Sequence, residues 1–141
     1  MKINGKKVLV TGGSGFIASH LVSRLLKLGA QVAILTKYDS VIDNIRLTLD
    51  WNKLTPIEAD LRNLDSLKLV AKWKPEVVFH LAAYNHVGDS FLHVSEALDA
   101  NSKGTANLIE SYTDLERFVC TSTSDAYGYQ TEVPFVETME P

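Results

Sequence analysis

The sequence predicts an α/β fold: a doubly wound parallel sheet with helices on both faces, truncated after about five strands. Three observations predict it. Short apolar runs recur along the chain, and stretches of helical period separate them. Strands alternating with helices imply parallel strands joined by right-handed crossovers. The polar or glycine-rich stretches, Thr11–Gly15, Thr36–Lys37, Asp60, Ala82–His86 and Ser122–Asp125, all fall at strand exits. Ligands bind beyond the carboxyl ends of the strands in such a sheet.

The chain is organised around residues 7–29. Val8, Leu9 and Val10 form an apolar run that reads as a strand buried on both faces. Thr11 through Gly15 is a tight turn. From Phe16 the period changes, and Ile17, Leu21, Leu25 and Leu28 recur at helical spacing until Gly29 closes the helix. Gly12, Gly15 and Ala18 give the spacing G-x-x-G-x-x-A between a strand and a helix. In that context the pattern points to a phosphate-binding turn, beside the plainer reading of a βα turn with no ligand. Gly12 permits the turn, and Gly15 lets a bound group approach the helix start. The free N–H groups and the positive end of the helix then face an anion, most naturally a pyrophosphate.

Gln31–Leu35 reads as the second strand, with Thr36 and Lys37 at its exit. Val41, Ile42, Ile45 and Leu49 suggest a helix over 40–50, weakened by β-branched residues. Leu54–Ala59 is the third strand, and Pro56 argues for an irregular or edge position. Asn63 can cap a helix through Leu64, Leu67 and Val70 that Pro75 ends. Val77–His80 is a fourth strand. Phe91, Val94, Leu98, Asn101, Thr105, Leu108 and Tyr112 step by three and four, which predicts one long helix over 89–113. Asn101 then sits within an apolar stripe and needs hydrogen-bond partners. Arg117–Thr121 is the fifth strand, in which Cys120 reads as a buried small hydrophobe. Trp51 and Trp73 read as packing residues, and His20 and His93 as helix surface.

At 141 residues the chain is one domain or part of one. The composition, 45% hydrophobic and 22% charged, is that of a globular protein with a real core. A net charge of −3 gives no reason to expect nucleic acid or an anionic membrane as partner. Cys120 is the only cysteine, which excludes an intrachain disulfide and a thiolate zinc cluster. No targeting segment or long apolar span is visible, so the cytoplasm is the expected address.

Five motifs then carry a resemblance across the whole chain. TGGSGFIASHL at 11–21, AD at 59–60, HLAAYNHVGDS at 80–90, NSKGT at 101–105 and STSDAYG at 122–128 resemble the extended short-chain dehydrogenase/reductases. The branch they resemble most is the NAD(P)-dependent sugar-nucleotide epimerases and dehydratases. The resemblance implies that Gly12, Gly15, Phe16 and Ile17 hold the cofactor pyrophosphate. Asp60 and Leu61 would flank the adenine, with the Asp60 carboxylate accepting from the ring amine. Leu81, Ala82 and Ala83 would line the path to the nicotinamide. Thr123, four residues before Tyr127, stands where the family places its catalytic Ser or Thr. Asp125 stands where the dehydratase branch carries a carboxylate for proton abstraction, and Ser124 where one dehydratase group has an acidic residue. Tyr84 and His86 would face the hexose, and Asn101 would hold backbone near the active site.

Two departures matter. NAD users of the family carry Asp at the end of the second strand, where it bonds the ribose 2′-OH. This chain has Thr36 followed by Lys37, which leans the expectation towards NADP over NAD. The family's base is a Tyr followed four residues later by Lys, and none of Tyr38, Tyr84, Tyr112, Tyr127 and Tyr129 has that partner. The pair is expected just past Pro141. Residues 1–141 are therefore expected to be the N-terminal part of a longer, dimeric enzyme, without its sugar-binding lobe and inactive alone. Plainer readings stand beside these. Thr123 and Ser124 can be strand-exit caps, Asp125 a turn residue, Lys37 a solvated cation and His86 a pocket-wall or hydrogen-bonded residue. The alternative functions are a non-catalytic dinucleotide-binding module and a small-carbonyl reductase.

Overall fold

The computed structural model describes residues 2–40 and 51–139. The helix expected over 40–50 lies, beyond Ser40, outside the described residues. Five strands, β1 (Lys7–Thr11), β2 (Gln31–Thr36), β3 (Leu54–Glu58), β4 (Val77–His80) and β5 (Arg117–Cys120), form one parallel sheet in the order β3-β2-β1-β4-β5. Successive strands step outward from β1 to β3, and the next one, β4, pairs on the other side of β1. The boundary between β1 and β4 is thus the topological switch point. Thr11 stands opposite His80 across it.

The alternation of β1 sorts its side chains between two cores. Val8 and Val10 pack with Ala18, Val22 and Leu25 of α1 (Phe16–Lys27) on one face. Leu9 packs on the other with Leu67 and Val70 of α2 (Leu64–Trp73) and with Leu108. These residues are 0–3% exposed, and each buried Val or Leu stabilises the fold by about 1.5–3 kcal/mol. The buried face of α1 is Ala18–Val22–Leu25 rather than the expected Ile17–Leu21–Leu25–Leu28; Ile17 is 71% exposed. Small Ala18 is what lets the helix sit close to the sheet. Trp51 packs against the first core and Trp73 against the second.

Helix ends follow the sequence signals. Gly29 takes φ +80°, and the Gly29 and Ala30 N–H groups bond the Leu26 and Leu25 carbonyls, closing α1 in a Schellman motif. The Asn63 side chain accepts from the Asp65 and Ser66 N–H groups and starts α2. Pro56 stands in β3, the edge strand. At the amino ends of the strands, the Lys6 ammonium bridges Glu76 (3.3 Å) and Glu116, and the Lys7 N–H donates to Glu76 at 2.9 Å. This ties the starts of β1, β4 and β5 together.

Two further expectations fail. The single helix over 89–113 is α3 (Val87–Ser90), α4 (Val94–Leu98), a π-helical turn over Asp99–Lys103 and α5 (Gly104–Glu110). A π turn inserts an extra residue, and each residue rotates a helix by about 100°. The stripe from Phe91 to Tyr112 therefore does not share one face. Leu108 is fully buried, while Phe91 is 76% exposed and Leu98 58%. Cys120 is exposed rather than buried, because β5 is the sheet's second edge among the described residues.

Candidate functional site

The turn between β1 and α1 is shaped by close backbone approach. Gly12 has φ +66°, and a Cβ there would lie 2.9 Å from the Ala82 Cα and N atoms at the exit of β4. Its carbonyl accepts the Gly15 N–H at 2.8 Å. Gly15 is the N-cap of α1 and supplies no capping side chain, and the first turn holds no acidic residue. The first-turn N–H groups, which no helical carbonyl can reach, sit at the positive end of a twelve-residue helix. Such an end attracts an anion, and Phe16 and Ile17 in its first turn are exposed.

A hydrogen-bonded chain runs behind the turn. Thr11 Oγ1 accepts from the Leu81 and Ala82 N–H groups at 3.2 and 3.1 Å and lies 2.7 Å from His80 Nδ1. His80 Nε2 lies 2.9 Å from Thr105 Oγ1, which donates to the Asn101 carbonyl at 2.6 Å. The Asn101 side chain clamps Tyr84: Oδ1 accepts its N–H at 2.7 Å, and Nδ2 donates to its carbonyl at 3.0 Å. Segment 81–84 is thus held from both ends. Asn101 is exposed rather than buried in an apolar stripe, yet both ends of its amide are partnered.

Two of the clefts that open on this segment gather the residues singled out in the sequence. The larger, about 790 Å³, is lined by Gly12, Gly15, Phe16, Ile17, Leu81, Ala82, Ala83, Tyr84 and Thr123. The other, about 240 Å³, is lined by Gly12, Lys37, Asp60, Leu61, Ala82, Ala83 and Tyr84. The residues read for cofactor, apart from Thr36, thus line these two clefts, which share Gly12, Ala82, Ala83 and Tyr84. Thr36, His86, Ser124 and Asp125 do not line either cleft. His86 caps α3 instead, its Nδ1 accepting the Asp89 N–H at 3.0 Å. Thr123 caps the short turn Ser124–Tyr127, accepting the Asp125 N–H at 3.3 Å and donating to the Asp125 carboxylate at 3.3 Å.

The carboxylates in the smaller cleft, Asp60 and Glu96, both pair with Arg62. The Arg62 guanidinium grips both oxygens of Asp60 and holds its carboxyl below the usual carboxylate range; the Lys37 charge acts in the same direction. Tyr84 donates its hydroxyl to Asp89, and this bond raises the phenol to about 12. The sequence reading missed Arg62, Glu96 and Ser14, which line the smaller cleft, and His80 and Thr105, which line the larger. Arg62 had one signal: it stands two residues after an exit carboxylate, within reach of a turn bond.

Residues 9–141 match the model of the GDP-mannose 4,6-dehydratase family. A UDP-glucose 4-epimerase from Cyamopsis tetragonoloba is 38% identical over 144 residues, covering 95% of this chain and 41% of that protein. The solved epimerase of Methanothermobacter thermautotrophicus superposes with a TM-score of 0.84 at 33% identity, over 97% of this chain and 41% of its own. A UDP-glucose 4-epimerase from Stenotrophomonas maltophila, solved with NAD and formylated UDP-arabinopyranose, gives 0.81 at 28% identity over 96% and 42%. The chain thus spans less than half the length of these relatives. With its glycine turn at the β1/β4 switch point and a family match over nearly all its residues, the chain belongs to the GDP-mannose 4,6-dehydratase family of extended short-chain dehydrogenase/reductases, the group of sugar-nucleotide epimerases and dehydratases.

Proposed function

We propose that these residues form the coenzyme-binding part of an NAD-dependent sugar-nucleotide 4-epimerase. One observation carries it: Gly12, at positive φ, lies where a Cβ would strike Ala82, under the uncapped start of α1. Such a cradle fits a pyrophosphate. The smaller cleft then takes the adenosine half, with Asp60 accepting from the ring amine and Leu61 and Ala83 beside it. The larger takes the nicotinamide half and the sugar. When bound, the coenzyme supplies a reversible hydride acceptor. Thr123, which lines the larger cleft, holds the sugar hydroxyl that is oxidised, and Tyr84 of the same cleft faces the sugar.

The relatives support epimerisation of a UDP-sugar, since those named above are UDP-glucose 4-epimerases and an epimerase, one of them holding NAD. Lys37 favours a second reading for the coenzyme. It lines the adenosine cleft with Ser40, and no carboxylate stands at position 36 to repel a 2′-phosphate. The exposed apolar residues Phe91, Val94 and Leu98 support a homodimer, and the lone cysteine supports a cytoplasmic address. No helix among the described residues is long and apolar enough to cross a membrane.

Calorimetric titration of the 141-residue chain with NAD+ and NADP+ tests the reading. NAD+ is expected to saturate one site. Tighter binding of NADP+ establishes the second reading, and binding of neither refutes both. These residues hold no Tyr with Lys four positions later, so binding without turnover of UDP-glucose is the expected behaviour of the chain alone.

A further inference from the structure

The loop after β3 presents a carboxylate whose acceptor positions are almost all filled by one neighbour. Asp60 Oδ1 accepts the Arg62 backbone N–H at 2.9 Å and its Nε at 3.0 Å. Oδ2 accepts Nη2 at 2.7 Å, and Nε lies 3.1 Å away, shared with Oδ1. A carboxylate offers about four acceptor positions, two on each oxygen. Oδ1 is therefore full, and Oδ2 keeps one position.

The arrangement is held rigidly. Arg62 Nη1 reaches Glu96 of α4 at 3.4 Å, so the guanidinium spans from the exit of β3 to the helix across the cleft. The Asn107 side chain donates to the Leu61 carbonyl at 2.8 Å, and Ser66 Oγ accepts the Asp60 N–H at 3.0 Å. The fork geometry of a guanidinium fixes the plane of the carboxylate it grips, which an ammonium cannot do.

We propose that Arg62 is a specificity-determining positioning residue: it orients Asp60 so that the single open position on Oδ2 reads an exocyclic amine on the bound base. An amine donates to that position. A base with a carbonyl there, as in hypoxanthine, presents a second acceptor, and the two oxygens repel. The inference rests on the proposed coenzyme reading and adds a base filter set by a residue that need not itself touch the base.

The test compares NAD+ with nicotinamide hypoxanthine dinucleotide, by calorimetry on the 141-residue chain and its variants. The wild type is expected to prefer NAD+ by about tenfold or more, the scale of one hydrogen bond to a charged group. Arg62→Met is expected to weaken NAD+ and leave the hypoxanthine analogue nearly unchanged, so that the preference falls below about twofold on that scale. Arg62→Lys keeps the charge without the fork and is expected to lower the preference too. It carries the test if Arg62→Met does not fold. Equal weakening of both dinucleotides in the variants means a merely structural Arg62 and overturns the inference, as does a wild type without preference. Binding of neither dinucleotide by the wild type overturns the coenzyme reading and the base filter together.

Discussion

Thr11 Oγ1 and His80 Nδ1 lie 2.7 Å apart across the switch point, and the rest of the network fixes who donates. Thr11 accepts two backbone N–H groups, which fills its lone pairs, so its one proton goes to His80 Nδ1. Thr105 gives its proton to the Asn101 carbonyl and so accepts from His80 Nε2–H. His80 is therefore the neutral Nε2–H tautomer. Protonating Nδ1 would set two hydrogens against each other.

A pH dependence follows. Burial lowers the His80 pKa from 6.5, so the unfolded chain takes up a proton before the folded one. The stability from this residue is complete above about pH 6.5 and is lost as pH falls below it, at no more than about 1.4 kcal/mol per pH unit. Thermal melts between pH 7.5 and 5, above the carboxylate range, are expected to show this loss. His80→Gln is expected to flatten it.

Gly12→Ala tests the cradle. The substitution places a methyl against the Ala82 backbone at a φ that L-residues avoid. The expected result is a loss of about 1–3 kcal/mol of stability and no measurable dinucleotide binding. Chemical denaturation and calorimetry on the same preparation check both.

The phase change at the π turn predicts unequal costs for two leucines that one helical stripe would make equivalent. Leu108→Ala empties a fully buried position and is expected to cost about 2–5 kcal/mol. Leu98→Ala, at an exposed site, is expected to change stability by less than about 0.5 kcal/mol. Urea midpoints of the two variants decide it.

Tyr84 gives a spectroscopic check. Its hydroxyl is bonded to Asp89, so its phenol is expected to remain protonated past pH 10 and to ionise near 12. Asp89→Asn removes the carboxylate and is expected to bring the ionisation back towards the ordinary value. Ultraviolet titration, with Tyr84→Phe to identify the signal, measures it.

The strands, their order of appearance and the glycine turn were legible because each rests on local pattern: apolar runs, Gly29 after a helical period, Asn63 ahead of another. The gathering of Gly12, Lys37, Asp60, Ala82 and Tyr84 at one crevice was legible too, since parallel strands point their exits the same way. What stayed hidden depends on contacts distant in sequence. His80 read as the last residue of a strand, and only the register opposite Thr11 shows its role in the network. Arg62 and Glu96 meet across 34 positions. The π turn left no trace in the apolar spacing, which fits a regular helix equally well.

That turn makes residues 99–103 intolerant of trimming. Removing a single position such as Ser102 would restore ordinary α winding while swinging Asn101 and everything before it by roughly a quarter circle relative to Thr105. The amide would leave the Tyr84 backbone, and the wall shared by the two clefts would lose its anchor. Between relatives, a gap here would therefore mark a rebuilt binding surface.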